Sequence, residues 1–95
     1  MPDRSEGVFA ISVAAEMASM QIQNLRVYER RGLVAPDRTS GGTRLYSEDD
    51  VDRLRRIGDL LAAGLNLAGI AAVLALEADN ERLRAQVARL RAKRT

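Results

Sequence analysis

The chain is 95 residues long, carries a formal net charge of +2 and has no cysteine, histidine or tryptophan. That length allows one domain plus one appendage, with a core modest enough that a partner subunit or an added helix is expected. The missing residue types exclude disulfides, thiolate or imidazole metal ligation and the commonest nucleophile and base pairs, so neither a cofactor nor catalysis is expected.

Charge is unevenly spread, with residues 1–25 and 45–81 acidic and residues 26–44 and 82–95 basic. A basic zone can meet phosphate, an anionic membrane or an acidic partner, and local motifs must choose among them. The sequence contains neither an apolar run long enough to span a bilayer nor a charged-then-apolar leader, so a cytoplasmic protein is expected.

Residues 1–8 are polar, include Pro2 and Gly7, and read as a flexible leader. Ser12 is placed to N-cap a short helix over Val13–Ala18, with Ile11 and Met17 as apolar neighbours. A second helix is predicted over Gln21–Arg31, with Ile22, Leu25 and Val27 turned inward; Gly32 and Leu33 suit a left-handed C-terminal cap.

After Pro36, Asp37-Arg38-Thr39 and Thr43-Arg44-Leu45-Tyr46 read as two short strands around the loop Ser40-Gly41-Gly42. Ser47 and the acids Glu48, Asp49 and Asp50 suit the start of a third helix, in which Val51, Leu54, Ile57, Leu60 and Leu61 repeat at helical spacing up to Gly64.

Asn66 caps a fourth helix with Leu67, Ile70, Val73 and Leu74 facing the core, and no later Pro or Gly stops it, so it continues with or without a kink. Leu76, Asn80, Leu83, Val87 and Leu90 then alternate as coiled-coil seam positions do, which marks residues 77–95 as a dimerisation helix. The fold class expected is mainly α: a leader at 1–8, a winged helix-turn-helix at 9–76 and a C-terminal dimerisation helix at 77–95.

Two helices followed by a hairpin suit duplex DNA, because a helix fits the major groove while the hairpin, or wing, lies along the flanking backbone. The outward face of the second helix can offer Gln21, Gln23, Asn24, Arg26 and Arg30; Asn and Gln bond adenine edges, and Arg bonds guanine or phosphate. Arg38 and Arg44 sit on opposite arms of the wing near phosphates, and Tyr28 and Tyr46 can place hydroxyls there while their rings pack on the wing base. A purely core role for Tyr46 is the alternative.

Gly42 and Thr43 complete the candidate DNA-binding set, although Gly41 and Gly42 also satisfy the turn alone. The tail cations Arg82, Arg84, Arg89, Arg91, Lys93 and Arg94 read first as the solvated face of a coil.

Ile11-Ser12-Val13-Ala14, Leu25-Arg26, Tyr28-Glu29, Gly32-Leu33-Val34, Pro36, Arg44-Leu45-Tyr46-Ser47 and Leu67 with Ile70 together resemble the MerR family over about residues 9 to 76. Within it, residues 11–18, 38–42 and 66–70 are similar to the heat-shock repressor branch called HspR. The resemblance implies a winged helix joined to an antiparallel dimerisation helix, an inverted-repeat operator and distortion of the promoter spacer. It carries over Gln21, Gln23, Asn24 and Arg26 as readers and Tyr28, Arg38, Arg44 and Tyr46 around the wing, and it implies a chaperone as a further co-regulator. Asn24, Val27 and Thr43 depart from the residues usual in the family, which implies a different operator sequence. The absence of cysteine excludes the thiolate metal sensing of other MerR-type proteins.

The seam pattern alone leaves orientation open. Asn80 at an inner position, and Asp79 facing a partner's Arg84, suit a parallel coil, whereas the family implies an antiparallel one. Asn80 is also able to cap a separate helix after a kink. The competing functions are an activator of other genes and a protein-interaction adaptor that uses its coil. An enzyme built on Asp49, Asp50 and Asp52 is a distant alternative, since a helix N-terminus accounts for those acids.

Overall fold

The computed structural model describes residues 3–94, which form four helices and one two-stranded sheet: α1 (Ile11–Met17), α2 (Ile22–Arg30), β1 (Asp37–Arg38), β2 (Arg44–Leu45), α3 (Glu48–Ala62) and α4 (Leu67–Lys93). Contacts divide the chain into two compact units, one ending at Ala63 and the other beginning at Gly64.

In the first unit, α1 does not start on a Ser12 cap. Its N-cap is Ala10, with no side-chain cap bond, and Ser12 lies inside the helix. The start is set from a distance: Phe9 pairs antiparallel with Tyr46, exchanging Phe9 N–H to Tyr46 O at 2.9 Å and Tyr46 N–H to Phe9 O at 2.7 Å. That pairing holds the backbone extended up to Ala10, and the helix begins as soon as it is released.

The leader is tied down as well, over the residues described. Val8 N–H donates to Tyr46 O at 3.0 Å and Gly7 N–H to an Asp37 carboxylate oxygen at 3.0 Å. Arg4 forms ion pairs with Glu48, Asp49 and Asp52 at the start of α3. The expected flexible leader is therefore corrected from Arg4 onward, and its first two residues lie outside the described ones.

Helix α1 ends in a turn whose Ser19 takes φ +55°, with Ser19 N–H donating to Glu16 O at 3.1 Å and Met20 N–H to Ala15 O at 2.9 Å. These two bonds satisfy carbonyls that the last turn would otherwise leave unpaired. The same device closes α2, where Gly32 takes φ +73° and the N–H groups of Gly32 and Leu33 reach Glu29 O and Tyr28 O at 3.0 and 2.9 Å. Here the sequence supplies the glycine that a left-handed residue favours, and the predicted cap is present.

Helix α3 opens on a reciprocal cap in which Ser47 Oγ accepts from Asp50 N–H at 3.0 Å and an Asp50 carboxylate oxygen accepts from Ser47 N–H at 2.9 Å. It buries Val51, Leu54, Ile57 and Leu60, while Leu61, expected inward, is exposed. With Ala14, Ala15, Leu25, Tyr28, Leu33, Val34 and Tyr46 these side chains make the core of the unit. Two arginines of α3 brace the helix-turn-helix: Arg55 donates to Met17 O at 3.1 and 3.3 Å, and Arg53 Nε donates to Leu33 O. Each is a cation placed on carbonyls at or just beyond a helix C-terminus, where the dipole favours positive charge.

In the second unit, Asn66 caps α4 by accepting from Gly69 N–H at 2.8 Å, as predicted. The helix runs unbroken from Leu67 to Lys93, so Asn80 is an internal helical residue and does not cap a separate segment. Its buried residues are Ile70 and Leu74; Leu67 and Val73 are half-buried.

Candidate nucleic-acid interface

Helix α2 buries Leu25 and Tyr28. At helical spacing, the face opposite these two carries Gln23, Arg26 and Arg30, and Val27, expected inward, is half-buried at its edge. Gln23, Asn24, Arg26 and Arg30 are all exposed. Gln21 is also exposed but lies one residue outside the helix, as its N-cap, in an extended conformation. Ile22, expected inward, is 37% exposed. Both Ile22 and Tyr28 lie three residues from Leu25, and the helix turns the Tyr28 side into the core.

The hairpin pairs Asp37 with Leu45 and Arg38 with Arg44. Its loop is closed by Thr39 N–H to Thr43 O and Gly42 N–H to Thr39 O, both at 2.9 Å, and by Thr43 N–H to Thr39 Oγ1 at 3.1 Å. Gly42 takes φ +86°, so the turn itself requires a residue that tolerates the left-handed region. Gly42 and Thr43 are exposed at the tip.

The register sets two guanidinium groups directly opposite one another, which is unfavourable for like charges unless a counter-charge intervenes. Glu29 of α2 provides it. One carboxylate oxygen accepts from Arg38 Nη2 at 2.9 Å and the other from Arg44 Nε. Arg38 Nη1 also donates to Gly42 O at 3.3 Å, tying its side chain to the loop. The wing is thereby locked to the helix that carries the candidate readers.

Both tyrosines assigned to phosphate are core residues. Tyr28 is 5% exposed, and Tyr46 is fully buried with a hydroxyl that, among the described residues, has no hydrogen-bond partner. A side chain sealed in this way does not reach a phosphate, so the core alternative holds for Tyr46. Burial raises the pKa of both phenols; for Tyr46 the Glu29 charge adds to the rise and Arg44 opposes it.

Glu29 was absent from the sequence-derived set. The available signal was its setting: it and Asp37 are the only acids between residues 26 and 44, and both are used inside the fold. Among the described residues, no group of three or more Asp or Glu side chains is arranged to hold a metal ion, and no helix is long and apolar enough to cross a membrane.

On α4, Leu76, Leu83, Val87 and Leu90 are exposed by 67, 51, 45 and 64%, and Asn80 is exposed with them. These five residues share one face at seam spacing.

The family description that matches the chain is that of the MerR HTH family regulatory proteins, over residues 9–77. Over 86 residues the chain is 45% identical to the heat shock protein HspR of Streptomyces coelicolor, a match covering 90% of this chain and 57% of that protein. It is 43% identical over 74 residues to the HTH-type transcriptional regulator GlnR of Bacillus anthracis, covering 78% of this chain and 57% of that one. The chain thus spans little more than half the length of these relatives. Among solved structures it resembles the transcription regulator PbrR691 from Ralstonia metallidurans, with a TM-score of 0.71 and 29% identity over 90% of this chain and 74% of that one.

Proposed function

The chain belongs to the MerR family of helix-turn-helix transcription regulators, and from that premise we propose that it binds an inverted-repeat operator as a homodimer and represses genes of the heat-shock type. The observation that carries the reading is the two-arginine wing fastened through Glu29 to the helix that exposes Gln23, Asn24, Arg26 and Arg30. Gln and Asn supply paired donors and acceptors for adenine, Arg supplies a fork for guanine or phosphate, and the wing supplies charge to the backbone beside them. Gln21, exposed at the N-cap of α2, and Gly42 and Thr43, exposed in the wing loop, join the proposed contact set, whereas the buried Tyr28 and Tyr46 act by packing.

The exposed seam of α4 supports association with a second copy in the antiparallel sense implied by the family, because an apolar stripe of this length is otherwise left in water. Repression of stress genes is supported by the similarity to the heat shock protein HspR, which extends over more of the chain than that to GlnR, and a chaperone co-regulator is proposed with it only as the family resemblance implies. No chemistry is assigned to the chain.

The test is a fluorescence anisotropy titration against the duplex upstream of its own gene and a shuffled duplex, at two salt concentrations. Preference of about a hundredfold for the native duplex, with a steep salt slope, is expected. Equal, weak binding to both overturns the reading and points to a protein partner of α4.

A further inference from the structure

The two wing arginines look equivalent in sequence but are not equivalent in their bonding. Each guanidinium offers paired N–H donors along two edges, the Nη1/Nη2 edge and an edge that includes Nε. In Arg38, Nη1 is bound to Gly42 O and Nη2 to Glu29, so each edge contains a nitrogen already engaged. In Arg44 only Nε is engaged, by the other oxygen of Glu29, and among the described residues no protein group takes Nη1 or Nη2. Arg44 is held by its inner nitrogen with the outer fork free.

We infer that the wing arginines divide the work: Glu29 is a positioning residue that anchors Arg44 by Nε so that its outer nitrogens grip one DNA phosphate as a fork, while Arg38 holds the wing closed. The inference rests on the proposed DNA binding and adds which wing residue contacts phosphate and what sets its geometry. Glu29 is suited to this because its carboxylate is largely covered, with its side chain 16% exposed, and both oxygens are in use. The carboxylate also keeps the opposed arginines from repelling one another before DNA arrives. An acid beside a phosphate weakens binding to every duplex alike, so its benefit must come from geometry. On the native duplex the base contacts of α2 fix one register, in which the anchored fork meets its phosphate, whereas a shuffled duplex is held in no single register and responds to charge alone. Removal of the acid is therefore expected to weaken the first and strengthen the second.

Arg44→Lys, Arg38→Lys, Glu29→Gln and the charge control Asp59→Asn, whose side chain is exposed on α3, are titrated against both duplexes, with circular dichroism to verify folding. Lysine cannot reproduce a fork, so Arg44→Lys is expected to lose about tenfold in affinity for the native duplex, whereas Arg38→Lys keeps a cation on Glu29 and stays within about threefold. Glu29→Gln is expected to bind the shuffled duplex more tightly and the native duplex less tightly, lowering their ratio about tenfold; Asp59→Asn leaves the ratio unchanged. If the unaltered chain does not discriminate between the duplexes, the proposed function fails and this inference with it. If it does discriminate, but the two lysine variants fall equally or Glu29→Gln shifts both duplexes in the same direction, the division of labour alone is overturned.

Discussion

Arg4 and Asp49 are joined twice: the Arg4 carbonyl accepts the Asp49 backbone N–H at 3.0 Å, and Arg4 Nε donates to Asp49 Oδ1 at 3.2 Å. The first bond uses one of the N–H groups that the start of α3 leaves unpaired, and the second brings a cation to the acids gathered there. Nearby carboxylates raise the Arg4 pKa, led by the hydrogen bond to Asp49. All these partners are more than half exposed, so the cluster is a local fastening rather than a source of global stability. In Arg4→Ala, hydrogen exchange is expected to quicken at the Asp49 and Val8 amides while Leu54 keeps its protection. Unchanged exchange at Asp49 would show that the leader is held by Gly7 and Val8 alone.

Two serines that look alike in sequence as helix caps differ in the structure, and stability measurements can separate them. Ser47 is 3% exposed and makes both bonds of the cap on α3, the helix that carries Val51, Leu54, Ile57 and Leu60 into the core. Ser47→Ala is expected to lower unfolding free energy by about 1 to 2 kcal/mol in urea denaturation. Ser12 is exposed inside α1 and caps nothing, so Ser12→Ala is expected to stay within about 0.5 kcal/mol of the parent. Equal losses in the two variants would contradict the assignment of Ala10 as the N-cap.

The buried Tyr46 hydroxyl makes a prediction in which stability and pH dependence move together. A buried polar atom without a partner keeps its desolvation penalty, so Tyr46→Phe is expected to raise stability by roughly 1 kcal/mol and to leave DNA affinity unchanged. Burial raises the folded-state phenol pKa above the unfolded value, so the unfolded chain releases its proton first as pH rises. The contribution is intact below about pH 10, the usual value for tyrosine, and is lost between there and the folded pKa. Tyr28 shifts in the same direction. Alkaline denaturation is therefore expected to begin at higher pH in Tyr46→Phe and at higher pH still with Tyr28→Phe added. A fall in DNA affinity in Tyr46→Phe would return the hydroxyl to the interface.

What could be read from the sequence was local, and what was missed was set by contacts between distant segments. The cap and end of α3, its apolar period apart from Leu61, and the glycine cap of α2 are written within a few residues of where they act, and the structure has them there. The start of α1 is fixed by Phe9 pairing with Tyr46, and the leader by contacts to Asp37, Tyr46 and the acids of α3, none of which a local pattern reveals. A tyrosine two residues after an arginine, as Tyr46 is after Arg44, serves a surface or a core equally well by composition, and only the fold places its ring and hydroxyl inside. Glu29 is not legible in the sequence because an acid on a short amphipathic helix resembles ordinary surface charge until the wing folds back and sets two arginines on it. Spacing alone turns Ile22 inward, yet Tyr28 takes that place for a related reason: a nine-residue helix has room for few inward positions, and which side of Leu25 is covered depends on the neighbours it meets.

The exposed face of α4 gives the last prediction. Leu83 lies midway along the seam between Leu76 and Leu90 and is 51% exposed in the single chain. If two copies bury this face together, a carboxylate at the position must be desolvated or the pair must open, and opening is the easier course. Leu83→Asp is therefore expected to sediment as a monomer at concentrations where the parent sediments as a dimer. Helices α1 to α3 lie in the other compact unit, so their content is expected to persist in circular dichroism. The variant is also expected to lose the tight binding that depends on two half-sites while keeping weak binding to one, since the reading surface is untouched. A variant that remains dimeric would place the interface elsewhere than Leu76, Asn80, Leu83, Val87 and Leu90.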